Sequence, residues 1–346
     1  MTDQLFKKAV TITDVHFGRN GNSPQANEDN LEFIRWMIDE ARTWGAETCI
    51  MMGDWHDNRH NLNVQTMDYS LRAMEMLNNG FKTVHWIPGN HDLFYRDRRD
   101  ISSVVFAKHL PNISIVDNPK TVGGVTLLPW LVGDEGKKLK HTGARYAFGH
   151  LELGGFMMNA KVEMPETEHG MKASAFDQLD YCFTGHFHMR QQKNRVVYTG
   201  NTMPFNFSDT WDDDRGMMML EWGKDPVFKS WPNQPQFRSL KLSELLDKPQ
   251  AVLRDKMTVR VVNDCDVSFE ESQILKETFL KDYGLRRFEL TNMPKHDSTV
   301  EFSGDVIFQS IDQIVEEGLL AMESSDDVDA VQATRLLEIY KSLVIL

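Results

Sequence analysis

The chain has 346 residues, 41% hydrophobic and 26% charged, with a net charge of -13 and three cysteines. That length suits one main domain plus an appendage, because single cores stop growing near ~250–300 residues. The charge excludes a protein that coats nucleic acid by electrostatics alone, and the three widely separated cysteines (Cys49, Cys182, Cys265) exclude a disulfide framework or a CxxC zinc site. No apolar run approaches the ~18 residues of a membrane span and residues 1–9 lack a signal-peptide core, so a cytoplasmic protein without membrane association is expected.

In chain order, residues 9–13 form a short β-like run that ends at Asp14-Val15-His16. Leu31, Ile34, Ile38 and Ala41 then recur at helical period, with Asn27, Asp29 or Asn30 as N-cap and Gly45 just past the end. Residues 48–52 read as a buried strand delivering Gly53-Asp54-Trp55-His56-Asp57. A second helix carries Met67, Leu71, Met74 and Leu77 on one face and stops at Gly80. The apolar run 82–87 is closed by Pro88-Gly89 and delivers Asn90-His91-Asp92. The alternation of strands with connections of helical length predicts a parallel sheet covered on both faces.

The second half is richer in strands, at residues 113–116, 125–128, 145–148, 181–184, 196–199 and 217–222. Three of these end in glycine and a polar residue: Gly149-His150, Gly185-His186-Phe187-His188 and Gly200-Asn201. The Met-rich stretch 154–178 reads as an irregular lid or binding loop. Near Trp231-Pro-Asn-Gln-Pro235 the composition becomes loop-like and marks a domain boundary. Beyond it a β-α-β pattern (strand 257–262, helix 269–283, strand 287–290) forms an appendage too small to be a second catalytic core. Two amphipathic segments close the chain, with Val306, Ile307, Ile311, Ile314, Val315 and Leu319 on one and Val331, Leu336, Ile339 and Leu343 on the other. Residues 305–346 hold nine acids against Arg335 and Lys341.

Ligands of open α/β sheets collect at the C-terminal edge of the strands, and five stretches of this sequence place polar donors there. Sorted by type they are two or three carboxylates (Asp14, Asp54, Asp57), one amide oxygen (Asn90) and four imidazoles (His16, His150, His186, His188). This mixed N/O set without thiolate suits Mn²⁺, Fe²⁺ or Zn²⁺ better than Ca²⁺, and it exceeds the needs of one ion. Two ions sharing a carboxylate are the economical reading, with His91 free to act on the phosphorus or the leaving oxygen. Any one Asp-x-His or Gly-His is more often structural than ligating; the tetrapeptide Gly89-Asn90-His91-Asp92 and the ordered series of five strand ends are far more specific.

Asp14-Val-His16, Gly53-Asp54-Trp-His-Asp57-Asn-Arg59, Gly89-Asn90-His91-Asp92, Gly149-His150 and Gly185-His186-Phe-His188 resemble, in order and spacing, the motifs of the calcineurin-like metallophosphoesterases. Within that family they are similar to the SbcD-type DNA double-strand-break repair nucleases, including the small subunits of phage recombination endonucleases. Gly149-His150-Leu-Glu152-Leu-x-Gly155 and Tyr198-Thr-Gly200-Asn201 support the likeness. The resemblance implies an α/β fold, a two-sheet sandwich flanked by helices (1–235), with a small β-α-β DNA-capping domain (236–300) and a C-terminal helical pair (301–346) that docks an SMC-like coiled-coil ABC ATPase through 305–346. It implies two divalent ions, Mn²⁺ with Mg²⁺ as the alternative, one held by Asp14, His16, Asp54 and His188, the other by Asp54, Asn90, His150 and His186. His91 is then the catalytic imidazole. The implied activity is 3′–5′ exonucleolytic degradation of duplex ends and endonucleolytic cleavage of single strands, in the host cytoplasm if phage-encoded, with DNA ends as partner and a homodimer as a further arrangement.

One departure is His56, which stands where the family usually has an aromatic residue and is read as a packing substitute. Asp57, Arg59, Arg96 and Arg98 are candidates for substrate contact; Arg99 and the Lys137, Lys138, Lys140, His141 cluster are weighed as phosphate contacts against solvated surface. The runner-up function is a phosphomonoesterase using the same metal pair. A scaffold that has lost its metals is disfavoured because every expected ligand is present.

Overall fold

The computed structural model describes residues 4–158, 162–167, 170–265 and 267–292. The helical segments expected at 306–319 and 331–343 lie outside these residues.

Strand β1 (Lys8–Ile12) leads through a helical turn, α1 (Arg19–Asn22), into α2 (Pro24–Trp44); β2 (Thr48–Met51), α3 (Val64–Gly80), β3 (Thr83–Trp86) and β4 (Ile113–Ile115) follow. Next come β5 (Lys120–Val122), β6 (Val125–Leu128), β7 (Tyr146–His150), β8 (Tyr181–Gly185), β9 (Gln191–Lys193) and β10 (Val196–Tyr198). The pair β11 (Gly216–Glu221) and β12 (Val227–Ser230) returns to the first sheet. Two six-stranded sheets result, ordered β12-β11-β1-β2-β3-β4 and β5-β6-β7-β8-β10-β9. Strands β1 to β4 run parallel, while β11 lies antiparallel to β1. The fold is a mixed α/β sandwich.

The sheets meet through Ala9, Ile50, Ile87, Val125, Leu127, Phe148, Phe183 and Met218, all buried. The opposite face of the first sheet packs on α2 and α3 through Val10, Cys49, Val84, Ile34, Met37, Met74 and Leu77. The expected two-sided cover is therefore helices on one side and a second sheet on the other. Apolar strands enclosed on both faces need no alternation, which is why they read as continuous hydrophobic runs.

Three local expectations are corrected. Ser23, whose side chain accepts from the Ala26 N–H ahead of Pro24, caps α2; Asn27 and Asn30 instead point inward, accepting from the Gly18 N–H at 2.8 Å and the Arg19 guanidinium at 2.8 Å. On α3 the buried face is Thr66, Ser70, Ala73, Met74 and Leu77, and Met67 and Leu71 are each 39% exposed. The stretch 154–178 is not wholly loose: its Phe156 and Phe176 are buried in a third apolar cluster behind the second sheet.

The appendage is richer than a β-α-β unit. Strand β13 (Gln236–Lys241), helices α4 (Leu242–Asp247) and α5 (Pro249–Val252), β14 (Met257–Asn263), α6 (Phe269–Asp282) and β15 (Arg287–Asn292) form a three-stranded parallel sheet with its own apolar cluster. Arg286 grips the buried Asp29 of α2 with two hydrogen bonds, at 2.6 and 2.5 Å, and Lys256 pairs with Glu32.

Candidate metal centre

The sandwich brings all five strand ends to one edge. Asp14, His16, Asp54 and His186 each adopt positive φ (53°, 53°, 55° and 94°), a conformation that costs an ordinary L-residue ~1–3 kcal/mol and persists only where the surroundings impose it. The constraints are visible. Thr13 Oγ1 donates to Met52 O at 2.8 Å, while the Asp14 and His16 N–H groups donate to the carbonyls of Gly53 and Asp54 at 2.9 and 3.1 Å. The buried Asp92 carboxylate accepts the N–H groups of Gly89, Asp54 and Trp55 at 2.9, 3.0 and 2.9 Å, tying the β3 turn to the β2 turn. Gly89 is needed there because a Cβ would lie 2.5 Å from Asp54 N.

The donors gather in two groups, Asp14 with His16 and His188, and Asp54 with His150 and His186; in each, the ligand atoms lie within 4.8 Å of one another. Nε2 of His16 lies 3.7 Å from Asp14 Oδ1 and 3.8 Å from Asp54 Oδ2, placing Asp54 between the groups. Asn90 Oδ1 completes the second group, 3.0 Å from both His150 Nε2 and His186 Nδ1.

The tautomers decide what this arrangement is for. A carbonyl oxygen only accepts, so Nδ1–H of His150 donates to Met52 O at 2.7 Å and Nε2 turns its lone pair toward Asp54 Oδ2, 3.3 Å away. His16 Nδ1 stands 3.3 Å from Asp57 Oδ1 without hydrogen-bonding geometry. Asp14 Oδ1 and both ring nitrogens of His16 are buried without any hydrogen-bond partner among the described residues. Buried acceptors converging on acceptors are costly unless a cation lies among them, and this donor chemistry fits a pair of divalent ions. Among protein groups alone, burial opposes charging the imidazoles, but Asp14, Asp57 and Asp54 outweigh it and raise His16 to about 10, and Asp54 with Asp14 raises His150 to about 9. Asp54 itself is held well below the usual carboxylate range, its burial overcome chiefly by His150.

His91 sits beside the pair, its ring 5.1 Å from that of His16. Its N–H donates to Asp54 Oδ1 at 2.8 Å and its Nδ1–H to Asp57 O at 2.6 Å, leaving Nε2 for a substrate. Burial lowers its pKa, with Asp54 opposing and His16 and Arg59 assisting. His56 is fully buried. Ser70 Oγ accepts from Trp55 Nε1 at 2.8 Å and is hydrogen-bonded to His56 Nε2 at 2.8 Å, while His56 Nδ1 is hydrogen-bonded to Ser103 Oγ at 2.9 Å. Both nitrogens are committed, and His56 is a packing residue.

Of the candidate basic residues, Arg59 and Arg96 stand near enough for Arg96 to lower the pKa of Arg59 after burial, while Arg98 pairs with Asp100 at 3.1 Å and lies over Tyr95. Arg99 is no phosphate contact: it is tied to Glu135 and to the carbonyls of Asp117 and Trp130. His141 is buried against Phe176, and Lys137 pairs with Asp134. Sequence reasoning gave no role to Asp92, Trp130 or Glu152. Trp130 lies with its ring 5.2 Å from that of His186, and it lines a cavity of about 140 Å³ with Leu131, His150, Leu151, Glu152 and Met171.

The chain is 27% identical to exonuclease subunit 1 of Enterobacteria phage T4 over 224 residues, which is 62% of this chain and 64% of that protein, so the match spans less than two thirds of the relative's length. Among solved structures, likenesses extend to the Pseudomonas putida nuclease MPE (16% identity, 55% of this chain and 66% of that chain, TM-score 0.29) and to Yfce, a phosphoesterase from E. coli (16%, 66% and 94%, 0.33). A third is a dimetal phosphatase from Danio rerio (13%, 66% and 96%, 0.42). The model of the calcineurin-like phosphoesterase family matches residues 7–190, the segment that contains every residue of the paired groups. This chain belongs to the calcineurin-like phosphoesterase family.

Proposed function

We propose that this chain is a Mn²⁺-dependent DNA nuclease, the catalytic subunit of a recombination and repair complex with an SMC-like coiled-coil ATPase, acting 3′–5′ on duplex ends and endonucleolytically on single strands. The observation that carries the reading is the pair of donor groups sharing Asp54, joined to the likeness to a phage exonuclease subunit. Asp14, His16, Asp54 and His188 hold one ion; Asp54, Asn90, His150 and His186 hold the other, with Mg²⁺ as the alternative metal. Bound there, the ions supply Lewis-acid polarisation of the phosphoryl oxygens and a nucleophile at neutral pH.

The chain's own residues do the rest. Asp57 orients the His91 imidazole through its carbonyl, and its carboxylate lies 3.3 Å from His16 Nδ1. In its imidazolium form, with Nδ1–H kept on Asp57 O, His91 presents Nε2–H as the proton donor to the leaving oxygen, and the burial that lowers its pKa makes it the stronger acid. Arg59 and Arg96 contact phosphates flanking the scissile one, whereas Arg98 is already engaged by Asp100 and is a weaker candidate. Residues 1–235 form the nuclease domain, 236–300 cap the DNA, and 301–346 dock the ATPase. Residence in the cytoplasm, the host's if the chain is phage-encoded, and a homodimer as a further arrangement complete the proposal.

The test is the full chain with Mn²⁺ on linear duplex DNA labelled at either end and on a chromogenic phosphomonoester. Loss of nucleotides from the 3′ ends is expected; rapid monoester turnover with intact DNA would replace this reading by the phosphomonoesterase. Deleting residues 305–346 should abolish ATPase association at unchanged metal content, and undiminished association would refute the docking role.

A further inference from the structure

The motif Gly149-His150-Leu151-Glu152 places a carboxylate two residues after a candidate ligand. Residues i and i+2 of an extended segment face the same side, so Glu152 follows His150 toward the centre while Leu151, 2% exposed, turns into the core. The segment is pinned by Tyr198, whose hydroxyl donates to Leu151 O at 2.8 Å and accepts the Leu153 N–H at 3.1 Å. Glu152 is not a member of either ligand group. Its Oε2 lies 3.1 Å from His186 Nε2, the ring nitrogen that faces away from Asn90.

We infer that Glu152 is the positioning residue of the second metal site, accepting the His186 Nε2–H so that Nδ1 turns its lone pair toward the ion. The inference rests on the two-ion reading above. Neutral imidazole carries one N–H, and an ionised carboxylate can only accept, so this contact assigns the proton to Nε2. It also sets the ring's rotation. No other hydrogen bond among the described residues engages its Nε2. A carbonyl or carboxylate thus backs two of the candidate imidazole ligands, Met52 O behind His150 and Glu152 behind His186.

The experiment is a titration of the full chain with Mn²⁺, followed by electron paramagnetic resonance, for wild type, Glu152→Ala and Glu152→Gln. Wild type is expected to bind two ions. Glu152→Ala should keep the affinity of the site built on Asp14, His16 and His188 and weaken the other roughly 10–100-fold, losing the spin-coupled signal at equal Mn²⁺. Glu152→Gln, whose amide oxygen still accepts the bond, should recover most of that loss. Two ions bound unchanged by Glu152→Ala would overturn the inference alone, as would equal weakening of both sites or a glutamine no better than alanine. Fewer than two ions in wild type would overturn the two-ion reading and this inference with it.

Discussion

Replacing Gly89 by alanine should dismantle the bridge between the two metal sites while leaving the fold in place. The methyl carbon would stand 2.5 Å from Asp54 N and 2.9 Å from His150 Cε1, with Asp54 Oδ1 nearer still, whereas ordinary contact begins near 3.4 Å. Relief requires the Asp54 backbone nitrogen to retreat by about 0.9 Å and its carboxylate further, whereas metal–ligand distances tolerate only about 0.2 Å. The displaced residue belongs to both sites, so both ions should weaken together, roughly 100-fold or more, a larger effect than loss of an outer-shell partner. The overpacking itself should cost about 1–3 kcal/mol, a shift of a few degrees in Tm. Elemental analysis after desalting in limiting Mn²⁺ reads the stoichiometry, and far-UV circular dichroism with thermal unfolding reads the fold. A Gly89→Ala chain that is folded and retains two ions at wild-type affinity would refute the idea that the β2 and β3 turns are held in register to present Asp54.

Other consequences can be measured on the same protein. His91→Ala should keep both ions and lose about 10²–10⁴ in kcat on DNA; loss of metal would instead make His91 a ligand. Because His16 and His150 are raised to about 10 and 9 among protein groups alone, an ion must expel their protons. Mn²⁺ affinity should therefore climb with pH toward 9–10 instead of levelling above ~6.5, and calorimetry in buffers of different ionisation enthalpy should record proton release at pH 7.5. For the chelator-treated protein the sign reverses: these imidazolium groups stabilise it fully below ~6.5, and that contribution is lost as pH rises through 9–10, which urea unfolding at pH 6, 8 and 10 can follow. Arg286→Ala would strand the buried Asp29 carboxylate and should destabilise by about 3–5 kcal/mol, with Arg286→Ala/Asp29→Asn recovering part of it; an unchanged urea midpoint in the single variant would show that this pair does not anchor the appendage.

What could be read from the sequence was the part governed by local pattern. Apolar runs such as Thr48–Met51 and Thr83–Trp86 end in glycine and polar donors, and their order sets the edge where the donors meet. The short edge strands Lys120–Val122 and Gln191–Lys193 carry no apolar run, being largely exposed, and left no signal. The buried face of α3 was misjudged because its polar Ser70 is used inward, between Trp55 and His56, which no periodicity announces. Ser23-Pro24 is by contrast a legible N-cap signal that the more numerous downstream Asn and Asp residues obscured. The roles of Asp92 and Glu152 depend on hydrogen bonds to turns distant in the chain, and only the assembled geometry identifies them.

On the proposed reading, seven side chains from distant strand ends enclose two neighbouring divalent cations, which an anomalous difference map from a crystal of the full chain grown with Mn²⁺ would reveal. Two peaks ~3.5–4 Å apart, with Asp54 touching both and Asn90, His150 and His186 on one side, are predicted. A single peak, or two with no shared carboxylate, would contradict the account.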